Sequence, residues 1–282
     1  MKRAWVSVPM FLGKGHVTVG KIFSTAALVC MFLSLPVAGG AADTQAPGYN
    51  WTGAYVGVNA GWARAMSDAG TSSVYSGSGY FAGSSVAAVA STGSQSLDSD
   101  AFTGGIQGGY NYQYDRFVLG CELDLNYTGI NKAGSGSAAY PCCSGTGFNV
   151  DSKVRSYWRL TVRPRIGYAV DNWLLYVTGG LALAEIKADY KFTDTYADMY
   201  EASSRAQIKA GWTAGAGVEV GVWKNISVRT EYLYTDFGKV KTGGYFSGAV
   251  DPGYVEAGAN NPFSHNADLR THMVRFGINY RF

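Results

Sequence analysis

Arginine occupies one parity of several stretches whose other parity is apolar, and acids share that parity. Arg155, Arg159, Arg163 and Arg165 alternate with Val154, Trp158, Leu160, Val162, Ile166 and Tyr168. Glu122 and Asp124 alternate with Leu119, Leu123 and Leu125, Glu219 with Val218 and Val220, Arg229 and Glu231 with Val228 and Tyr232, and Arg275 and Arg281 with Val274, Phe276, Ile278 and Tyr280. A period of two belongs to the β-strand, where successive side chains point to opposite faces. These charges therefore share one surface, and the chemistry open to them is mutual. A planar guanidinium matches both oxygens of a carboxylate, and removing one partner from a poorly hydrated pair strands the other charge. An ion-paired network is the expected outcome. A cation-lined channel that selects anions is the competing reading, because arginine outnumbers acid.

No catalytic, cofactor or metal site is expected. Beyond the amino-terminal apolar run only His265 and His272 remain, too few for a histidine metal cluster, and no serine and acid stand at a legible spacing from His272. Asp194, Asp198 and Glu201 could gather a divalent cation, but a solvated acidic loop is the simpler expectation. Gly57, Gly61, Gly105, Gly109, Gly215 and Gly217 lie inside alternating runs rather than before helices, so they do not read as phosphate cradles. They make room for large neighbours or let a sheet curve. Cys121 falls on the apolar parity, as a small apolar residue does. Cys142 and Cys143 are adjacent, a spacing that seldom forms a disulfide, and with Cys121 they make an odd number.

Strands must hold these residues in place. Glycine (38) and tyrosine (20) are abundant, charged residues make up only 15%, and proline is scarce (7), a profile of strands more than of packed helices. About eight alternating runs follow one another, beginning with Trp51 to Ala63 and ending with His272 to Phe282. Tight turns at Gln113-Tyr114-Asp115-Arg116, Val170-Asp171-Asn172 and Trp223-Lys224-Asn225 alternate with long polar stretches from Met66 to Asp100, Asn131 to Asn149, Asp189 to Ser204 and Lys239 to Leu269. Serine and glycine fill the first two, so disorder is expected at their tips. Aromatic residues gather near run ends: Trp62 and Tyr127 toward the long stretches, Tyr112, Tyr114, Phe117, Tyr168, Trp173 and Tyr280 toward the turns. Rings with an apolar body and a polar rim favour the level of lipid headgroups.

The amino terminus reads as a secretion signal. A basic stretch ending at Lys21 precedes the apolar run Ile22 to Val37 and the small residues Ala38 to Ala42, which suit a signal peptidase. Met1 and Met10 both remain open as the start, and Cys30, which follows Val29, does not read as a lipoprotein site. Lys2, Arg3, Lys14 and Lys21 all precede the first acid, so the formal charge of +3 falls to about −1 once they are removed, and nucleic acid is not an expected partner. The expected division is a signal peptide at 1–41, a periplasmic lead at 42–50 and a barrel at 51–282, with no further domain after Phe282. A secreted chain that spans a membrane without apolar helices must pair every strand edge.

WTGAYVGVNAGW, TVRPRIGYAVDNWLLYVTGGLA, GWTAGAGVEVGVWKNISVRTEYLYTDFG and the ending VRFGINYRF resemble the small outer-membrane immunogenic proteins of alphaproteobacteria, a group within the porin family. The resemblance covers Trp51 to Phe282, strongest in the strands and weak in the loops. It implies an all-β, eight-stranded antiparallel up-and-down transmembrane β-barrel in the outer membrane, with lipid and the outer-membrane insertion machinery as partners. Phe276, Ile278, Tyr280 and Phe282 resemble the signal read by that machinery. Pro164 stands where glycine is expected between two arginines, and since proline cannot donate to a ladder, a bulge is expected there. Eight strands leave an interior that side chains fill, so a structural, surface-exposed role with a largely closed lumen is expected. A narrow pore for small anionic solutes and an adhesin whose loops bind an external ligand are the alternatives.

Overall fold

The computed structural model describes residues 49–246, 248 and 252–282. The signal-peptide assignment and nearly all of the lead lie outside the described residues. The elements are β1 (Gly53–Met66), β2 (Asp68–Ser72), α1 (Gly83–Thr92), β3 (Gln95–Ser96), β4 (Ser99–Tyr114), β5 (Phe117–Ala139), β6 (Gly147–Val170), β7 (Trp173–Asp194), β8 (Tyr200–Trp223), β9 (Ile226–Gly244), α2 (Pro252–Gly258) and β10 (Phe263–Arg281).

The expectation of an eight-stranded up-and-down barrel is corrected by the pairing. The strands form a ten-stranded antiparallel sheet in the order β1-β4-β5-β6-β7-β8-β9-β10-β2-β3, with β1 also paired to β10. The two additional strands fall in the stretch from Met66 to Asp100 that reads as loop, because they are five and two residues long and too polar to show alternation. A break at Ser67 separates β2 from β1, yet both lie along β10 in one register, Met66 opposite Arg270 and Ala69 opposite Ala267. β1 has β4 on one edge and β10 on the other, so its ladder hydrogen bonds are satisfied on both sides.

Alternation sets which face is buried. Tyr55 and Asn59 are buried while Val56 and Val58 are exposed, and Glu122 and Asp124 are buried while Leu123 and Leu125 are exposed. The two-residue turns carry positive φ at Asp115 and Asp171, a conformation that aspartate tolerates better than branched residues do. Pro164 produces no register shift. The β6–β7 ladder omits Arg163 and Pro164 but resumes unchanged from Val162↔Leu181 to Arg165↔Thr178, and Thr178 Oγ1 donates to the Pro164 carbonyl at 2.9 Å.

One irregularity lies at the turn end, between Gly221 and Trp223, and the others lie higher up, between Tyr127 and Ile130, between Arg155 and Arg159, and between Asp268 and Arg270. Past them the strands continue through segments that read as loops. β4 and β5 part after Gly104↔Tyr127, and β8 and β9 part after Trp212↔Asp236. The sheet thus divides into one ladder of β5 to β8 and another of β9, β10, β2 and β3. A cluster including Phe81, Tyr140, Phe148, Phe192, Phe246 and Phe263 is buried there, with α1 packing Val89 against it. The first loop is folded rather than disordered because a few apolar residues, diluted among serine and glycine, turn inward, Phe81 and Val89 into that cluster and Ala69 and Leu97 into a second one.

Candidate functional site

The buried face of the lower sheet carries a connected ionic network. Glu122 is its hub. Arg163 Nη2 lies 2.6 Å from Glu122 Oε1, Arg229 Nη2 donates to the same oxygen at 3.0 Å, Arg275 Nη2 lies 3.2 Å from it, and Tyr55 Oη donates to Oε2 at 2.7 Å. Arg163 also reaches Asp124 Oδ2 at 2.9 Å and Glu231 Oε2 at 3.2 Å, so it bridges three acids. Arg275 Nε donates to Glu231 Oε2 at 2.7 Å, and Tyr176 Oη donates to the other Glu231 oxygen at 3.0 Å. Lower still, Arg165 pairs with Glu219 at 2.8 Å and lies over the Tyr176 ring at 4.2 Å, while Asn279 donates to Glu219 Oε1. Each of these acids and arginines is 3% exposed or less.

Register explains the convergence. Glu122 faces Arg163 across β5 and β6, Glu219 faces Arg229 across β8 and β9, and Glu231 faces Arg275 across β9 and β10. Directly opposed charges of opposite sign stabilise a sheet, and here each pair also reaches across the interior to a third partner.

Two arginines expected in the network are elsewhere. The irregularity between Arg155 and Arg159 exchanges the faces of β6, so Val154 and Ser156 are buried and Arg155 turns outward to Asp189. An extra residue in one strand inverts every side chain beyond it, and this places Arg155 outside the set. Arg281, next to the end of the chain, donates to the Lys224 carbonyl at 2.9 Å and lies over the Tyr49 ring at 4.5 Å. It belongs to the turn end of the sheet, beyond reach of the acids. Arg159 is buried with the others but contacts Thr235 and Met273.

Residues 30–282 match the family described as outer membrane protein beta-barrel domain. The chain belongs to this family. It is 34% identical over 268 residues to the 31 kDa outer-membrane immunogenic protein of Brucella melitensis biotype 1, covering 94% of this chain and 97% of that one. It is 36% identical over 155 residues to the 22 kDa outer membrane protein of Rhizobium leguminosarum bv. viciae, covering 55% of this chain and 61% of that one. The crystal structure of Neisserial surface protein A aligns with 82% of this chain and 98% of its own at 13% identity, with a TM-score of 0.36, too low to bear on the fold.

As an outer membrane protein beta-barrel domain of a Gram-negative bacterium, the sheet turns its apolar face to lipid. Trp62, Tyr127 and Trp212 are exposed on the side of the long strand extensions, and Tyr114, Phe117, Trp173 and Tyr280 on the side of the tight turns. Aliphatic residues such as Ile106, Leu123, Leu125 and Val177 are exposed between them. Two aromatic levels flanking an aliphatic band are the pattern of a membrane-spanning sheet. Cys121 has the outward parity expected of it but is only 6% exposed, facing Pro164 across β5 and β6.

The extensions beyond the membrane hold two polar centres that alternation did not reveal. Asp194 is buried and accepts hydrogen bonds from Tyr140 Oη at 2.9 Å, from Tyr80 Oη, and from the Met199 amide at 3.0 Å. Burial first, and then the Asp194 carboxylate, pushes both tyrosine hydroxyls well above the usual phenol range, so they stay protonated donors. Glu201 lies 3.2 Å from His265 Nε2, whose Nδ1 is 2.9 Å from Thr71 Oγ1 and whose ring stacks on Tyr190. The acids read as a solvated loop are therefore separated: Asp194 and Glu201 are buried in different contacts, and Asp198 is exposed. Cys142 and Cys143, whose adjacency argued against bonding, form a disulfide. Among the described residues, no three or more histidine, cysteine, aspartate or glutamate side chains are placed to hold a metal ion.

Proposed function

We propose that the protein is a structural, surface-exposed component of the outer membrane whose interior passes no steady current. The observation that supports this is the filling of the interior by Arg163, Arg229 and Arg275 interleaved with Glu122, Asp124 and Glu231, all 3% exposed or less. Ions crossing that layer must separate pairs in a poorly hydrated space, which is costly. A second barrier is the apolar layer above it, with Ile130, Val154, Ile186 and Leu269 buried together. The eleven charged residues singled out in the sequence act on this reading as structural groups, with Arg155 and Arg281 at the margins.

Refolded protein in planar bilayers is expected to show no stable conductance, and liposomes containing it are expected to exclude sugars. A steady anion-selective current that disappears in the Arg159→Ala/Arg163→Ala double variant would instead establish a narrow anion pore.

The same reading includes removal of residues 1–41, a short lead at 42–50, and delivery to the insertion machinery by the carboxyl-terminal strand. Phe276, Ile278, Tyr280 and Phe282 are all exposed on the lipid side, and the Phe282 amide donates to the Ala54 carbonyl at 2.9 Å. Deleting Phe282 is expected to abolish insertion in cells while leaving refolding in detergent intact. Failure in both would make Phe282 an anchor of β10 rather than a signal, and normal insertion in cells would remove both roles.

A further inference from the structure

The interior network has an odd charge. Arg159, Arg163, Arg165, Arg229 and Arg275 supply five cations and Glu122, Asp124, Glu219 and Glu231 four anions, all on the buried face. Arg163, Arg165, Arg229 and Arg275 each have a carboxylate within 4.0 Å. Arg159, 2% exposed, has no such ion pair among the described residues. Its Nη1 donates to Thr235 Oγ1 at a long 3.4 Å, its Nη2 reaches only the Met273 sulfur, and its Nε has no partner.

Around Arg159 the register partners are Ala184 on β7 and Asn126 on β5, and Met273 of β10 lies against its Nη2. Thr271 Oγ1 is buried without a partner and lies on β10 opposite Thr235, the residue Arg159 touches. A guanidinium N–H and a hydroxyl, both unpartnered, thus share one buried layer on either side of Thr235.

We propose that this layer binds one small monovalent anion of the halide class against Arg159 and Thr271. A single negative charge balances five cations against four anions, whereas water would satisfy the hydrogen-bond donors without neutralising the charge. A buried charge that is neither paired nor neutralised is strongly unfavourable. The acids one layer below disfavour a multivalent anion, and the near-complete burial of Arg159 and Thr271 favours a small one. The inference does not depend on whether the interior conducts.

The test is the unfolding of refolded protein in sodium bromide and in sodium gluconate of equal ionic strength, gluconate being too large for the layer. Wild-type protein is expected to unfold at a higher urea midpoint in bromide, with the folding equilibrium constant rising about tenfold per tenfold bromide once the site is saturated. Arg159→Met, which removes the charge and keeps the length, is expected to be indifferent to the anion. Crystals grown in bromide are expected to show an anomalous peak in contact with the Arg159 guanidinium, and that peak decides alone if the variant does not refold. Equal wild-type midpoints with no peak, or a bromide response that Arg159→Met retains, would overturn the proposal.

Discussion

Replacing Glu122 by alanine is expected to cost the folded protein about 3–5 kcal/mol, the range for removing one partner from a buried ion pair. The effect belongs at the upper end because Glu122 serves Arg163, Arg229, Arg275 and the Tyr55 hydroxyl together. Its loss leaves Arg229 with no other carboxylate within 4.0 Å among the described residues. It also removes one of the three acids bridged by Arg163. Glu185→Ala is the control: Glu185 is an exposed residue of β7, and surface substitutions usually change stability by no more than about 0.5 kcal/mol. Urea unfolding of the two refolded variants compares them directly. Similar midpoints would mean that water reaches the Glu122 layer and that the interior is not held by its ion pairs.

The lower half of this arrangement is legible in the sequence because a period of two survives translation into structure wherever the ladder is regular. Glu122, Asp124, Arg163, Arg165, Glu219, Arg229, Glu231 and Arg275 all keep their parity, and register brings them together. Arg155 was not legible, since one irregularity between it and Arg159 inverts the face and nothing in the local sequence marks where the extra residue is inserted. Proline was the expected mark and proved a poor one: Pro164 occupies an outward position where the ladder to β7 is open for two residues, so its missing donor disturbs nothing.

The strand count failed for a related reason. β2 and β3 have too few residues to display a period, and their pairing is decided by long strands that pass beside them. The extensions were hidden by composition. Ser135, Ser137, Ser203 and Ser204 sit on strands whose buried residues are few and widely spaced, so polarity read as loop. Asp194 and Glu201 illustrate the limit: each is buried by contacts with residues at least fifty positions away in the chain, Tyr140 at a separation of 54 and His265 at 64.

Phe192→Ala is expected to remove about 3–5 kcal/mol of stability from the extension, the usual cost of emptying a buried phenylalanine site. Phe192 is fully buried, and its ring lies 5.8 Å from Phe81, 5.6 Å from Phe148, 5.6 Å from Phe246 and 5.0 Å from Phe263. These rings come from the segment before α1, from β6, from the segment after β9 and from β10, so one side chain joins both ladders of the extension. The loss is expected to stay local. β4 has left β5, and β9 has left β8, below this level, so the two ladders can separate without breaking a hydrogen bond of the membrane-spanning sheet. Regions with independent contacts open independently. Protease added to intact cells is therefore expected to cut the variant rapidly between β2 and α1 or between β9 and α2, while the wild type resists and the membrane-spanning part of both survives. Equal cutting of variant and wild type would mean that the ladders are not held together by this cluster. Collapse of the whole variant would mean that the extension and the membrane-spanning sheet fold as one unit.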